Sequence, residues 1–552
     1  MTRAATVAEV IADAIGERGA GRVFAFPGGG SNLELIDALA RRSVAVVLAR
    51  SEGGAAFMAA TYADLTGRPA TLLVGLGPGV ANAVNGIAHA WLDQSAVIVI
   101  SDRFAEDELG TSGHQVLDHA ALLAPVVKWQ ALLTPDTAAS AVHQALSIAA
   151  AAAPGPVHLS LPREVALAPA APAAARAAPA APEPRAEPEL SAIAEAVAGA
   201  RRPVVLVGDE ALDAAQEELV ALVERLGAPV LSTYKAKGAF PERHPLWCGI
   251  VTNAAVEAEV LEAADVLISL GVDPVELLPR PWSFPGRVVA LRRHGEDVPG
   301  LRAERTATGD VAALVHALAE RLDHVTASWD AVEIGALREA MLGALRVAEP
   351  GTLSALDVVA AVRSAAPEPA TVTVDAGAHM FAVTWGWRVQ RPRRFLISNG
   401  LASMGFAVPA AVAAALARPA EPVIAFTGDG GFLMHGAELE TAVRTGARVV
   451  VVVLNDASLS LIRIKQADRG YPPAAVDFGA VDAAGYARSL GASGVVAENV
   501  AEVREAVAAA LQAPGPAVVD VRLTGAEYQA LQHAIRTAGA PTGRKERAPC
   551  VR

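Results

Sequence analysis

One unit recurs along this chain and restricts the architectures open to it: a short run of Val, Ile, Leu or Ala, then a glycine-rich turn, then an alanine-rich helical stretch. It appears as SVAVVLARSEGG and PATLLVGLGPG near the N-terminus, as RPVVLVGDE and ADVLISLGVD in the middle, and as TVTVDAGAH, EPVIAFTGDGG and RVVVVVLNDAS toward the C-terminus. Strands apolar along their whole length are buried on both faces, and helical connections between them make the sheets parallel. The expected fold class is therefore α/β, with three doubly wound parallel-sheet domains. Ligands of such sheets sit at the carboxyl ends of the strands, where these glycines fall.

The 552 residues are too many for one core, and at roughly 100–200 residues per domain they divide into about three. LAPAAPAAARAAPAAPEPRAEPEL has no apolar periodicity and reads as an extended linker. A helical pattern precedes EPGTLS, which restarts the chain with a helix N-terminus. The expected division is an N-terminal domain 1–166, a Pro/Ala linker 167–190, a central domain 191–327, a helical connection 328–350, a C-terminal domain 351–535 and a basic tail 536–552. Hydrophobic residues at 53% against 19% charged mark a globular chain, and a net charge of −13 disfavours nucleic acid or an anionic membrane as partner. Two cysteines, Cys248 and Cys550, are too few for a disulfide framework or a thiolate metal cluster and fit a reducing compartment. The N-terminus shows no signal-peptide pattern, and the uncharged stretch LASMGFAVPAAVAAALA at 401–417, interrupted by Pro409, reads as a buried helix. The expected location is the cytoplasm.

The most specific chemistry lies in FTGDGGFLMHGAELETAVRTGARVVVVVLNDAS, residues 426–458. VIAF is a strand, Gly428 to Gly431 a tight exit, Leu439 and Val443 mark the buried side of a helix ending near Gly446, and Val449 to Leu454 form the next strand. Parallel neighbours place Asp429 and the Asn455-Asp456 pair at one sheet edge. A carboxylate and a second oxygen ligand beside glycine N–H groups suit a Mg²⁺ ion gripping a diphosphate. Each piece alone is an ordinary turn or strand end; the pair at this spacing carries the reading.

The stretch resembles the metal and diphosphate motif of thiamine-diphosphate enzymes of the acetolactate synthase, pyruvate decarboxylase and benzoylformate decarboxylase group. The resemblance implies Asp429, Asp456 and the Ser458 main-chain carbonyl as metal ligands, with Asp456 standing where the family has Asn. ARSEGGAAFMAATYA is similar to the family's activating-glutamate segment and makes Glu52 that residue. GLGPGVANAVNGIAHAWLD contributes Asn82, and FAFPGGGSNLELIDAL contributes Pro27 and Gly28. DAGAHM looks like the second diphosphate loop, implying Gly377, Ala378 and His379, the last as a phosphate donor. NGLASMGFAVPAA resembles the segment under the bend of the cofactor, with Ala402 and Met404. Gly428, Gly430, Gly431 and Leu459 complete the implied cofactor contacts. In GTSGHQVLDH, Gln115 matches a Gln of the family's loop over the reacting carbon and His114 replaces a Phe; both are candidate catalytic residues. Lys465 and Gln466 stand where acetolactate synthases carry a Trp-Glu pair shaping the acceptor pocket. The resemblance runs through nearly the whole chain in the family's order.

What the resemblance implies is a pyrimidine-binding and a diphosphate-binding domain flanking a central Rossmann-like domain, with thiamine diphosphate and Mg²⁺ as cofactors. The activity expected is decarboxylation of a 2-keto acid with carboligation, in a homodimer or homotetramer whose active sites lie at subunit interfaces. A non-ligating decarboxylase or lyase is the alternative, and a catalytically silent subunit or a nicotinamide or flavin oxidoreductase the more distant ones. FAD in the central domain is doubtful, because VDPVELLPRPW follows SLG where the family's Arg-Phe-Asp-Asp-Arg patch would stand.

Overall fold

The computed structural model describes residues 4–109, 113–172, 187–293, 298, 300–322, 325, 327–347 and 351–537. Most of the expected linker, the tail beyond Thr537 with Cys550, and Gly110 to Ser112 lie outside the described residues.

Three six-stranded sheets are present, and every pairing within them is parallel. The first orders Ala45–Leu48, Arg22–Phe26, Ala70–Val74, Val97–Arg103, Val157–Pro162 and Gln130–Leu132; the third orders Phe395–Ile397, Thr371–Val374, Val423–Gly428, Val449–Asn455, Ala517–Arg522 and Ser493–Ala497. Of the uncharged stretch 401–417 only Ala407–Ala417 is a buried helix, 401–406 forming turns ahead of it, and no helix among the described residues is long and apolar enough to cross a membrane.

The chain forms two compact units, one of Met1–Pro184 with Leu353–Gly525 and one of Arg185–Thr352 with Ala526–Arg552. In the first, small side chains let elements close on one another: a methyl on Gly86 would lie 2.4 Å from Ala56 Cβ, and overpacking of that kind costs about 1–3 kcal/mol. Its two sheets share a hydrophobic core that includes Val74, Met58, Ala411 and Val451. Buried Glu438 crosses between them, accepting hydrogen bonds from Arg50 N and Ser51 N at 3.0 and 3.2 Å. Asp93 does the same toward Asn399 N and Gly400 N, both at 3.2 Å.

The second unit holds the sheet Arg305–Thr308, Arg287–Arg292, Val266–Leu270, Pro203–Val207, Val230–Ser232 and Trp247–Ile250. The helix Ala331–Ala344 belongs to it, and so does the last described helix, Tyr528–Thr537, whose Ile535 carbonyl accepts from Ala255 N and Val256 N at 3.2 and 3.1 Å. That differs from a C-terminal domain running to 535. The buried face of Tyr528, Leu531 and Ile535 is satisfied on the central unit.

Candidate active site

Two details around the metal motif differ from the sequence reading. Gly428 to Gly431 is not a separate turn, because the helix Asp429–His435 begins directly after the strand Val423–Gly428, and Val443 is exposed while Leu439 is buried. The register pairs Gly428 with Leu454, so Asp429 and Asn455 leave the same edge.

Asp429 is buried and ties the two exits together: Oδ1 accepts from Gly430 N at 2.7 Å and Oδ2 from Ala457 N at 2.6 Å. Burial pushes its carboxyl above the ordinary range despite these donors. Asp456 is pushed up to about 6, by burial first and also by the charge of Asp429, against a hydrogen bond from Ser460 Oγ. Among the described residues neither carboxylate is ion-paired. Asn455 faces away, its Nδ2 donating to Val481 O at 2.9 Å and Asp520 Oδ1 at 2.8 Å.

The neighbouring loops converge on this edge. Asp375, buried and raised to about 6 by that burial, accepts from Thr427 Oγ1 at 2.6 Å and Ala407 N at 2.9 Å, joining two strand ends to the helix behind Met404. A Cβ on Gly431 would lie 2.3 Å from Asp375 Oδ2; one on Gly430 would meet Leu459 at 3.0 Å and Met404 at 3.3 Å. Gly377 underlies the His379 ring, Ala378 begins its helix, and Ala402 is exposed with φ 51°.

His379 is buried at the start of its helix. Burial lowers its pKa to about 4, its ring bonds the Phe426 carbonyl, and Nε2 has no partner among the described residues. In that neutral ring Nδ1–H is the donor and Nε2 presents a lone pair. With Nδ1–H committed to the Phe426 carbonyl, donation from Nε2 to a phosphate, the role the resemblance implies, would need a second ring proton.

On the other sheet of this unit, Glu52 is the first residue of the helix Glu52–Thr66, capped by Ser51. Its buried carboxylate accepts from Asn82 Nδ2 at 3.3 Å, and a Cβ on Gly79 would come 3.5 Å from Oε1. Ala55, Ala56 and Met58 follow, all fully or almost fully buried. Gly28 is held against Gly75 by Asp102, which accepts from Gly30 N, Ser31 Oγ and Asn32 N; Pro27 opens that turn, half-buried. Asp102 and Asp375 anchor these loops, yet neither stands out in the sequence. Among the described residues no hydrogen bond joins Glu52 to Asp429 or Asp456.

His114 and Gln115 are exposed in a loop whose Gln115 carbonyl accepts from Gly77 N at 3.3 Å. Gln115 borders a cavity of about 430 Å³ shared with Leu76, Arg103, Phe104, His119 and Ser160. Behind it Ser101 Oγ bonds His119 Nδ1 at 3.2 Å and His158 Nε2 at 2.8 Å. Burial lowers both imidazoles, His158 to about 3, so both are neutral near pH 7. These two histidines were not legible as a pair, since they meet through the fold and not along the chain.

Three descriptions of one family match in order: the thiamine pyrophosphate enzyme N-terminal TPP binding domain at residues 5–122, the central domain at 190–318 and the C-terminal TPP binding domain at 375–521. The acetolactate synthase of Bacillus subtilis (strain 168) is 30% identical over 93% of this chain and 92% of its own length. The chain belongs to the thiamine pyrophosphate enzyme family. This thiamine pyrophosphate enzyme is also 31% identical to a probable 2-ketoarginine decarboxylase of Pseudomonas aeruginosa, over 83% of each chain. It shares its fold with the thiamine diphosphate-dependent 4-hydroxybenzoylformate decarboxylase of Rhodococcus jostii RHA1, at a TM-score of 0.83 and 23% identity over 94% of this chain and 99% of that one.

The residues fit the cofactor. The unpartnered Nε2 of His379, the side-chain-free Gly428 and Gly430, and the half-buried Met404 face one edge where two loop backbones already turn toward Asp429. Among the described residues no three His, Cys, Asp or Glu side chains form a metal cluster. Two carboxylates at one strand edge, Asp429 and Asp456, are donors of the kind that would suit a hard divalent cation.

Proposed function

We propose that this enzyme uses thiamine diphosphate and Mg²⁺ to decarboxylate a 2-keto acid and joins the product to a second carbonyl, as acetolactate synthases do. The observation that carries the reading is the pair of carboxylates without ion-pair partners, Asp429 and Asp456, at the edge where Gly428 lies against the His379 ring. Thiamine diphosphate supplies the nucleophilic carbon and the electron sink for breaking the carboxylate bond. Asp429, Asp456 and the Ser458 carbonyl would hold the metal, and His379 would take up a proton to meet the diphosphate. Glu52, at a helix N-terminus in apolar surroundings, would hold and move the proton that activates the cofactor. Gln115 would orient the substrate at the mouth of the 430 Å³ cavity. The purified enzyme, given thiamine diphosphate, Mg²⁺ and a panel of 2-keto acids, should release CO₂ and form acetoin-type or acetolactate-type products by NMR. Gln115→Ala should lower turnover and shift the ratio of ligated to merely decarboxylated product; aldehyde alone from every substrate would favour the non-ligating decarboxylase.

Lys465 is exposed, whereas Gln466 is committed to Ala474, donating to its carbonyl at 2.9 Å and accepting from its N–H at 3.3 Å. Neither of these two positions carries an aromatic side chain, which argues against a dedicated branched-chain biosynthetic synthase.

Because Glu52 and Asp429 stand on different sheets with no hydrogen bond between them, we place the complete site across two subunits of a homodimer or homotetramer. Co-expressing Glu52→Gln with Asp429→Ala should then restore activity to about a quarter of the parent level, since randomly paired dimers carry one intact site in half the molecules. No recovery would mean that each chain builds its site alone.

The central unit does not fit FAD. At its strand ends Glu276 already accepts from Asp209 N at 3.1 Å, Asp273 N at 2.9 Å and Thr233 Oγ1. A Cβ on Gly208 would lie 2.3 Å from the Gly271 carbonyl, so the two turns that would flank a pyrophosphate touch. A dinucleotide would meet Asp209, Glu210, Asp273 and Glu276 where it needs N–H donors. The purified protein is expected to show no flavin absorbance and no gain in activity with added FAD.

A further inference from the structure

The 430 Å³ cavity beside Gln115 has in its wall a polar group that the proposed reaction leaves unused. His119 lines it and is only 7% exposed. Its Nδ1 is turned back to Ser101 Oγ at 3.2 Å, and Nε2 has no hydrogen-bond partner among the described residues. Turning the ring to find one would break the Ser101 bond. Ser101 is fully buried, and its hydroxyl also bonds His158 Nε2 at 2.8 Å, with the two imidazoles edge to face at 6.3 Å between centres. Ser160, which lines the cavity too, brings its Oγ within 3.5 Å of the same His158 nitrogen. A buried polar atom held in one direction at a cavity wall costs free energy unless water or a ligand meets it.

The remaining lining fixes the chemistry of a ligand. Leu76, Phe104, Leu109, Val116 and Leu117 supply apolar surface, and Val116 and Leu117 are 40% and 45% exposed. Among the described residues the charged lining is one cation, Arg103, and one carboxylate, Asp118, so neither sign of ligand charge is favoured. His119 adds no charge near pH 7, because burial first and the nearby Arg103 second lower its pKa. A neutral imidazole presents Nε2 as donor or acceptor according to its tautomer, and a hydroxyl, which both donates and accepts, meets either form. The volume equals about fourteen waters at ~30 Å³ each, whereas the methyl of pyruvate is about the size of one. The cavity also adjoins the chemistry. Leu76 caps the helix Gly77–Leu92, and a Cβ on Gly79, one turn or ~5 Å further along, would lie 3.5 Å from Glu52 Oε1.

We propose that this cavity is the subsite for the substrate's side chain and selects 2-keto acids whose side chain is long, apolar along its body and ends in a hydroxyl held by His119 Nε2. The assignment rests on the proposed 2-keto-acid chemistry and makes His119 a specificity-determining residue that touches the substrate away from the reacting carbon. Its test uses the full-length enzyme loaded with thiamine diphosphate and Mg²⁺. Decarboxylation of 4-hydroxyphenylpyruvate is compared with that of phenylpyruvate, and 6-hydroxy-2-oxohexanoate with 2-oxohexanoate, pairs alike but for one hydroxyl. At least one hydroxylated member should be preferred by about tenfold or more in kcat/KM, mainly through KM, because a site built to bond a hydroxyl rejects the analogue lacking it. His119→Phe should erase that preference, and His119→Gln, which keeps a hydrogen-bonding group, should retain most of it. A merely structural role would lower both members of a pair together. Independently of turnover, p-cresol should bind saturably by calorimetry, and about tenfold more weakly to His119→Phe. No p-cresol binding, equal binding in His119→Phe, no hydroxyl preference in either pair, or pyruvate preferred to all of these substrates would overturn the proposal. p-Cresol bound through His119 by an enzyme that decarboxylates no 2-keto acid would instead sink the 2-keto-acid chemistry and leave the hydroxyl-binding cavity standing, so the two failures are distinct.

Discussion

Glu52→Gln should bind thiamine diphosphate as the parent does and slow exchange of the cofactor's C2 proton by about 10²–10⁴, the range for a lost general acid–base group. The substitution changes one atom of a side chain that is buried at the start of its helix and held by Asn82 Nδ2. Gln keeps an oxygen for that bond, and Ser51 still caps the helix by accepting from Gly54 N at 3.0 Å. The expected loss is therefore one of proton transfer, with the thermal midpoint nearly unchanged. Glu52→Asp separates charge from position: the carboxylate remains but retreats by one methylene. A misplacement of about 1 Å can cost 10² in rate, so a deep loss in this variant too would show that the carboxylate acts by contact with the cofactor and not as a distant charge. Hydrogen–deuterium exchange at C2, read by NMR on quenched samples, measures this step apart from turnover. Exchange at the parent rate in Glu52→Gln would remove the residue from the site.

The edge carrying Asp429 and Asp456 was legible because neighbouring apolar strands joined by a helical crossover are parallel, and parallel strands end together. The fold class was legible for the same reason, since strands such as Val449–Asn455 are buried along their whole length. What holds the loops in place was not. Asp102 accepts from the Ser31 hydroxyl across 71 positions, and Glu438 from the Arg50 N–H across 388; a carboxylate whose donors lie that far away leaves no local pattern. The boundary at 535 failed similarly. Periodicity marks Tyr528–Thr537 as amphipathic but does not say which sheet its apolar face will cover. The hydrogen-bonding sense of His379 also lies beyond sequence, because the Phe426 carbonyl sets it.

Asp456→Ala should abolish metal-dependent retention of thiamine diphosphate on gel filtration, while Asn455→Ala should retain the cofactor and lose stability instead. The two side chains are adjacent in sequence and point apart. Asn455 is spent on Val481 and Asp520, and leaving those buried partners unmet costs about 1–3 kcal/mol. Asp456 stands beside Asp429 with its carboxyl raised to about 6, chiefly by burial. The sign follows from that direction. Without metal, the folded protein holds this proton more tightly than the unfolded chain does, so the contribution of Asp456 to stability falls as pH rises from the ordinary carboxylate range to about 6. Mg²⁺ needs the ionised form and displaces the proton, so its binding should tighten as pH rises and level off above about 6, with roughly tenfold weaker affinity at pH 5 than at pH 7. Asp456→Asn, which restores the side chain usual at this position in the family, keeps an oxygen ligand and removes the titrating charge. That variant should bind Mg²⁺ more weakly at pH 7, show a shallower pH dependence, and melt higher than the parent when both are metal-free, because one of two neighbouring buried charges is gone. Calorimetric titration of Mg²⁺ in the presence of thiamine diphosphate at several pH values reads the first two effects, and thermal melts in chelator read the third. Cofactor loss in Asn455→Ala with retention in Asp456→Ala would place the ligand one residue earlier and exchange the roles of the two side chains.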